Sequence, residues 1–91
     1  MMMHPFMTLE DGTEIVHSDK LQDGRVKVYI EKPDAKDCFH RATCYLPQFQ
    51  WQDIEGFSEE EMNYYRYVVE STAHLILRSA EEGGFENAAS V

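Results

Sequence analysis

The stretch "KDCFHRATCYLP", residues 36–47, holds both cysteines of the chain, Cys38 and Cys44, with His40 between them. A metal ion or a disulfide here makes a small stapled domain, whereas a strand here makes part of a sheet. The residues alternate. Cys38, His40, Ala42, Cys44 and Leu46 fall on one side, and Phe39, Arg41, Thr43 and Tyr45 on the other. Six steps of extended chain at ~3.3 Å each set the two cysteines about 20 Å apart. A zinc ion holds its ligands at about 2.0–2.3 Å, and a disulfide holds its Cα atoms within about 7 Å, so this pair serves neither. Cys38 and His40 can share an ion, with His17 on a neighbouring strand as a third ligand, but the sequence offers no second pair to close a tetrahedral site. The stretch therefore reads as a strand, with Ala42 and Cys44 as small core residues beneath a helix and both thiols reduced.

Upstream, "RVKVYIE" (25–31) alternates polar and apolar strictly, and "TEIVHSDKL" (13–21) and "FMTLE" (6–10) are short and rich in β-branched or bulky apolar residues. Asp11-Gly12 and Asp23-Gly24 separate them and predict two-residue hairpin turns. The result is a meander of three antiparallel strands, with Phe6–Leu9 as a short fourth at the edge, all within residues 6–46. A two-residue turn at Asp23-Gly24 pairs Lys20 with Lys27 and Ser18 with Tyr29. The connecting segment, 47–57, is open to two readings. "QFQWQDI" (48–54) is a further strand, or a turn that packs Phe49, Trp51 and Ile54 under the start of the helix.

Downstream the period changes. Ser58 and Glu61 make an S-x-x-E capping box, and Phe57 and Met62 stand at the spacing of a hydrophobic staple. Glu59, Glu60 and Glu61 suit the positive end of a helix dipole. No Gly or Pro interrupts residues 59–82, and Gly83-Gly84 supplies a stop, so a helix is expected over 58–83 and a frayed tail over 85–91. Strands followed by one long helix predict an α+β fold: a small antiparallel β-meander covered on one face by a C-terminal helix, as one domain over 1–91. Small bacterial antitoxins of the HicB kind share this layering, a likeness of architecture without their sequence motif.

The chain has 91 residues, 17 Asp and Glu against 8 Lys and Arg, and a net charge of −9, which repels phosphate backbones and anionic membranes. No apolar run approaches the ~20 residues of a membrane span, and the first residues lack the basic and apolar regions of a signal peptide, so a cytoplasmic location is expected. No glycine-rich phosphate loop, C-x-x-C or calcium-loop pattern is present, and no cofactor is expected. Ser71, His74 and Glu70 lie on one helical stretch without a third orienting group or an oxyanion site; Glu70 and His74 read as a solvated i,i+4 pair. The sequence thus supplies no positive sign of catalysis.

Two surfaces remain. Lys20, Arg25, Lys27 and Arg41 are expected to gather with Tyr29, Phe39 and Tyr45 on the sheet face away from the helix. Lys27, Tyr29, Phe39, Arg41 and Tyr45 are the candidate partner-binding residues, since aromatic and Arg side chains dominate binding hot spots. A 24-residue helix is about 36 Å long and a seven-residue strand about 23 Å, so the last two turns are expected to overhang the sheet. Leu75, Ile76 and Leu77 on that overhang are the candidate dimer contacts. The expected function is a non-enzymatic, homodimeric protein-interaction module. The alternative is a nucleic-acid-contacting or antitoxin-like regulator using the basic and aromatic face.

Overall fold

A computed structural model describes residues 2–34, 36 and 38–82. Five strands precede one helix: β1 (Met3–Thr8), β2 (Glu14–Ser18), β3 (Val26–Asp34), β4 (Cys38–Leu46), β5 (Gln50–Glu55) and α1 (Glu59–Glu82). The strands form one antiparallel sheet in sequence order. The α+β meander with a C-terminal helix is therefore the observed architecture. It has five strands rather than three or four: the first begins at Met3, and the open segment after Pro47 supplies the fifth. The helix spans its expected length. The Gly83-Gly84 stop and the 85–91 tail lie outside the described residues. No helix among the described residues is long and apolar enough to cross a membrane.

Both hairpin loops differ from the expected two-residue turns, and in the same way. Leu9 N–H donates to the Thr13 carbonyl and Gly12 N–H to the Leu9 carbonyl; Leu21, Arg25 and Gly24 repeat the pattern. Each is a three-residue loop whose glycine, Gly12 at φ 90° or Gly24 at φ 87°, takes the left-handed position. The side chains of Asp11 and Asp23 accept from the N–H groups of Thr13 and Arg25, so the aspartates stabilise the turn and the glycines close it. The longer loop moves the β2–β3 register by one residue, and an irregularity between the loop and His17–Val28 moves it by one more. Val16, not Ser18, faces Tyr29, and the Lys27 N–H donates to the Ser18 hydroxyl. A two-residue shift preserves the alternation, so the assignment of sides survives.

The side facing the helix carries Ile15, Val26, Val28, Ile30, Ala42, Cys44 and Leu46, all buried against Met62, Tyr65, Val69, Ile76 and Ala80. The helix follows β2 along its length. Tyr65 Oη lies 3.3 Å from Thr13 Oγ1 at one end, and Ser79 Oγ lies 2.9 Å from His17 Nε2 at the other. Glu81 reaches Lys20 at 3.8 Å just beyond. The expected overhang is absent because contacts with the sheet side continue almost to the end of the helix. Ile76 accordingly has no exposed surface and is a core residue, not a dimer contact.

Candidate functional site

The question raised by Cys38, His40 and Cys44 resolves locally. They belong to one strand, β4. Cys44 is a free, buried thiol, and burial pushes its pKa up to about 12, which leaves it without thiolate character at neutral pH. The side chain of Cys38 lies outside the described residues. The His40 ring packs edge-on to Phe57, 5.7 Å away, and against Gly56. Its Nε2 stands 3.5 Å from Asp34.

The helix residues also sort themselves. The Ser71 hydroxyl donates to the Tyr67 and Val68 carbonyls, while His74 and Glu70 are exposed. The acidic first turn is accounted for by its own contacts. Ser58 and Glu61 exchange the two hydrogen bonds of a capping box, at 2.9 and 3.1 Å, and Glu61 also meets Lys32 at 3.2 Å. The Ser58 N–H first, and Lys32 after it, hold the Glu61 carboxyl below the ordinary carboxylate range. Glu59 pairs with Arg66.

One polar constellation escaped the sequence reading. The buried His17 ring donates through Nδ1 to the Ser18 carbonyl at 2.9 Å, since a carbonyl only accepts. Its Nε2 therefore accepts from the Ser79 hydroxyl, also at 2.9 Å. His4 lies beside it, 5.4 Å between ring centroids, and is itself 2.6 Å from Asp19. A histidine next to a serine suggests nucleophilic chemistry, but Ser79 and His17 are both fully buried, so no substrate reaches the hydroxyl. The pair is a polar bolt between β2 and the helix. Nothing in the sequence joins two residues 62 positions apart.

The open side of the sheet is where the candidate binding residues meet. Across the strands run three rows: Glu31, Arg41 and Glu55; Val16, Tyr29, Thr43 and Gln52; and Lys27, Tyr45 and Gln50. Arg25 lies over the Tyr45 ring at 4.3 Å, and Phe39 is exposed on the same side, opposite Pro33. Lys20 departs from the group, because its ammonium turns to Glu81 on the helix. The basic character expected of this face is also reduced by strand β5. Glu55 holds Arg41 by contacts at 2.9 and 3.1 Å, and the Tyr29 hydroxyl donates to Glu31 at 2.9 Å. Burial, with Glu31 second, raises the Tyr29 pKa, so the phenol stays a neutral donor.

A shallow groove of about 290 Å³ crosses this face, bordered by Lys27, Tyr29, Arg41, Thr43, Asp53 and Glu55. Thr43 has only 3% of its surface exposed. Asp53 enters the groove through a β-bulge: the register slips between Arg41 and Thr43, and Asp53 takes φ 54°. A second groove of about 440 Å³ lies by the β1–β2 loop, against Leu9, Glu10, Asp11 and Tyr64. There Asp11 is already engaged by Thr13 and, at 3.6 Å, by Lys32. Comparison with protein-family models, curated proteins and solved structures finds no match to this chain.

Proposed function

We propose that this protein is a small, non-catalytic interaction module of the cytoplasm that receives a protein partner on the open face of its sheet. The supporting observation is the asymmetry of the sheet. One side is closed by the helix, and the other presents aromatic, cationic and anionic side chains around a groove with no described element of the chain over it. Phosphate is the less suitable ligand, because Asp53, Glu55 and Glu31 stand among the cations.

A homodimer is the second part of the reading, and it moves to another surface than the sequence indicates. Tyr64, Tyr67 and Leu75 are 52, 69 and 39% exposed and share one flank of the helix, while Leu77 packs partly against the core. A two-fold contact through that flank removes three large apolar side chains from water.

The experiment places a photoreactive benzoylphenylalanine at Tyr45 or at Tyr67, one at a time, and irradiates living cells. The expected results are an adduct with a different protein from position 45 and a self-adduct from position 67. A partner captured from position 67 alone overturns the open-face reading. Anisotropy with labelled single-stranded RNA supplies the remaining arm. Binding that is abolished by Lys27→Glu replaces the protein partner with a nucleic acid.

A further inference from the structure

We infer that the groove on the open sheet face is a receptor for an extended peptide segment carrying one acidic and one basic side chain, with Lys27 receiving the carboxylate and Asp53 the cation. This rests on the open-face reading and names its partner's chemistry.

The argument begins with how cations are used elsewhere in the molecule. Lys20, Arg25, Lys32, Arg41, Arg66 and Arg78 each have a carboxylate within 4.0 Å. In a chain with 17 carboxylates and 8 cations, that is the expected outcome. Lys27 is an exception, although it borders a groove that also holds two carboxylates. Its backbone N–H is engaged by Ser18, but among the described residues no carboxylate engages its ammonium. Asp53 is its counterpart: it borders the same groove, and no hydrogen bond or ion pair among the described residues engages its carboxylate. Arg41 and Glu55, between and beside them, satisfy each other.

The groove thus has two unsatisfied charges of opposite sign, held apart by strand geometry. Lys27 on β3 shares a row with Tyr45 and Gln50, and Asp53 on β5 lies three residues beyond Gln50, so two spacings of ~4.8 Å across and about three residues of ~3.3 Å along set their backbones about 14 Å apart. A ligand of one sign meets attraction at one end and repulsion at the other. A ligand with both signs is attracted at both. An extended segment sets side chains i and i+2 on one side, about 7 Å apart, and long Glu and Lys side chains cover the remaining distance. A groove of about 290 Å³ suits a pair of side chains rather than a folded surface. The Thr43 floor and the Tyr29 ring offer a neutral surface between the charges.

The test titrates three capped peptides into isotope-labelled protein and follows amide shifts: acetyl-Thr-Glu-Thr-Lys-Thr-amide, its Glu/Glu form and its Lys/Lys form. The mixed-charge peptide is expected to shift amides at Lys27, Thr43 and Asp53. It should bind about tenfold more tightly than either single-sign peptide, the sum of one modest exposed ion pair gained and one like-charge contact relieved. Lys27→Glu alone is expected to remove the preference. Lys27→Glu with Asp53→Lys is expected to restore it, which a merely structural role for either residue does not allow. Equal binding of all three peptides overturns the inference, as does a mixed-charge peptide whose shifts map away from the groove. Adducts from position 45 in cells judge the open-face reading separately, so the two failures are distinguishable.

Discussion

Gly56 is the residue with the least freedom to change. At φ 86° it adopts a backbone conformation that side chains disfavour, and a Cβ built there would lie 2.3 Å from Cδ2 of His40. The His40 ring is held in turn by Phe57. Gly24 shares the positive φ, but a Cβ there meets nothing within 4 Å. Gly24→Ala therefore isolates the backbone term, about 1 kcal/mol, and Gly56→Ala adds a clash, for a total of about 2 kcal/mol or more. Thermal unfolding should show the second variant melting several degrees below the first, at ~4–8 °C per kcal/mol for a domain of this size. Equal melting temperatures contradict the packing described for His40.

His17 carries the pH dependence at the same scale. Burial, the largest influence, lowers its pKa from the ordinary value of 6.5, and the neighbouring His4 acts in the same direction; the Ser18 carbonyl and Asp19 oppose them. A depressed pKa means that the unfolded chain takes up a proton where the folded one does not. The contribution is therefore present above pH 6.5 and is lost as pH falls from 6.5 through the folded value. Asp11 and Glu61 are also depressed, but from 3.8 and 4.5, so their loss falls in a more acidic window. Stability measured by denaturant unfolding is expected to decline as pH falls below about 6.5, and His17→Gln to flatten that decline. A wild-type protein with constant stability over that interval removes His17 as its cause.

Among the elements, the helix start is the most self-contained. Its cap is local: the Ser58 hydroxyl accepts from the Glu61 N–H, and the Ser58 N–H donates to Glu61 Oε1. Ser58→Ala is expected to cost about 1 kcal/mol, as for caps of this kind. The loss should appear as faster amide exchange confined to the first turn of α1, so uniform protection along the helix speaks against a local capping role. The capping box was legible in the sequence because it spans four residues. Strand β5 was legible only as one of two readings, because Gln50, Gln52, Asp53, Ile54 and Glu55 are all exposed, and an edge strand with a bulge lacks the buried alternation that marks a strand. The open reading also hid the carboxylates that β5 brings to the open face.

For the whole molecule, the balance to consider is between the apolar helix flank and the charge. Tyr64, Tyr67 and Leu75 favour self-association, and a net charge of −9 opposes it. Light scattering at tens of micromolar is expected to give a dimer whose share rises with salt, as screening weakens the repulsion. Tyr67→Glu should shift the population to monomer without changing the circular dichroism. A wild-type monomer at every salt concentration excludes the helix-flank dimer.

What the sequence determined by itself was much that is local in the chain: the alternation of β3 and β4 and the side of each that faces the core, the helix with its cap, and the position of the turns at both Asp-Gly pairs. Period and capping are properties of neighbouring residues, so they survive the register shift of two between β2 and β3. Tertiary structure decided what depends on distant pairs. It set Ile76 into the core, drew Lys20 to Glu81, bolted His17 to Ser79, and placed Asp53 and Glu55 beside Lys27 and Arg41. The physical reason is that charge and burial are settled by whichever groups the fold brings within a few ångströms, and a register or an added edge strand changes those groups without altering any local pattern.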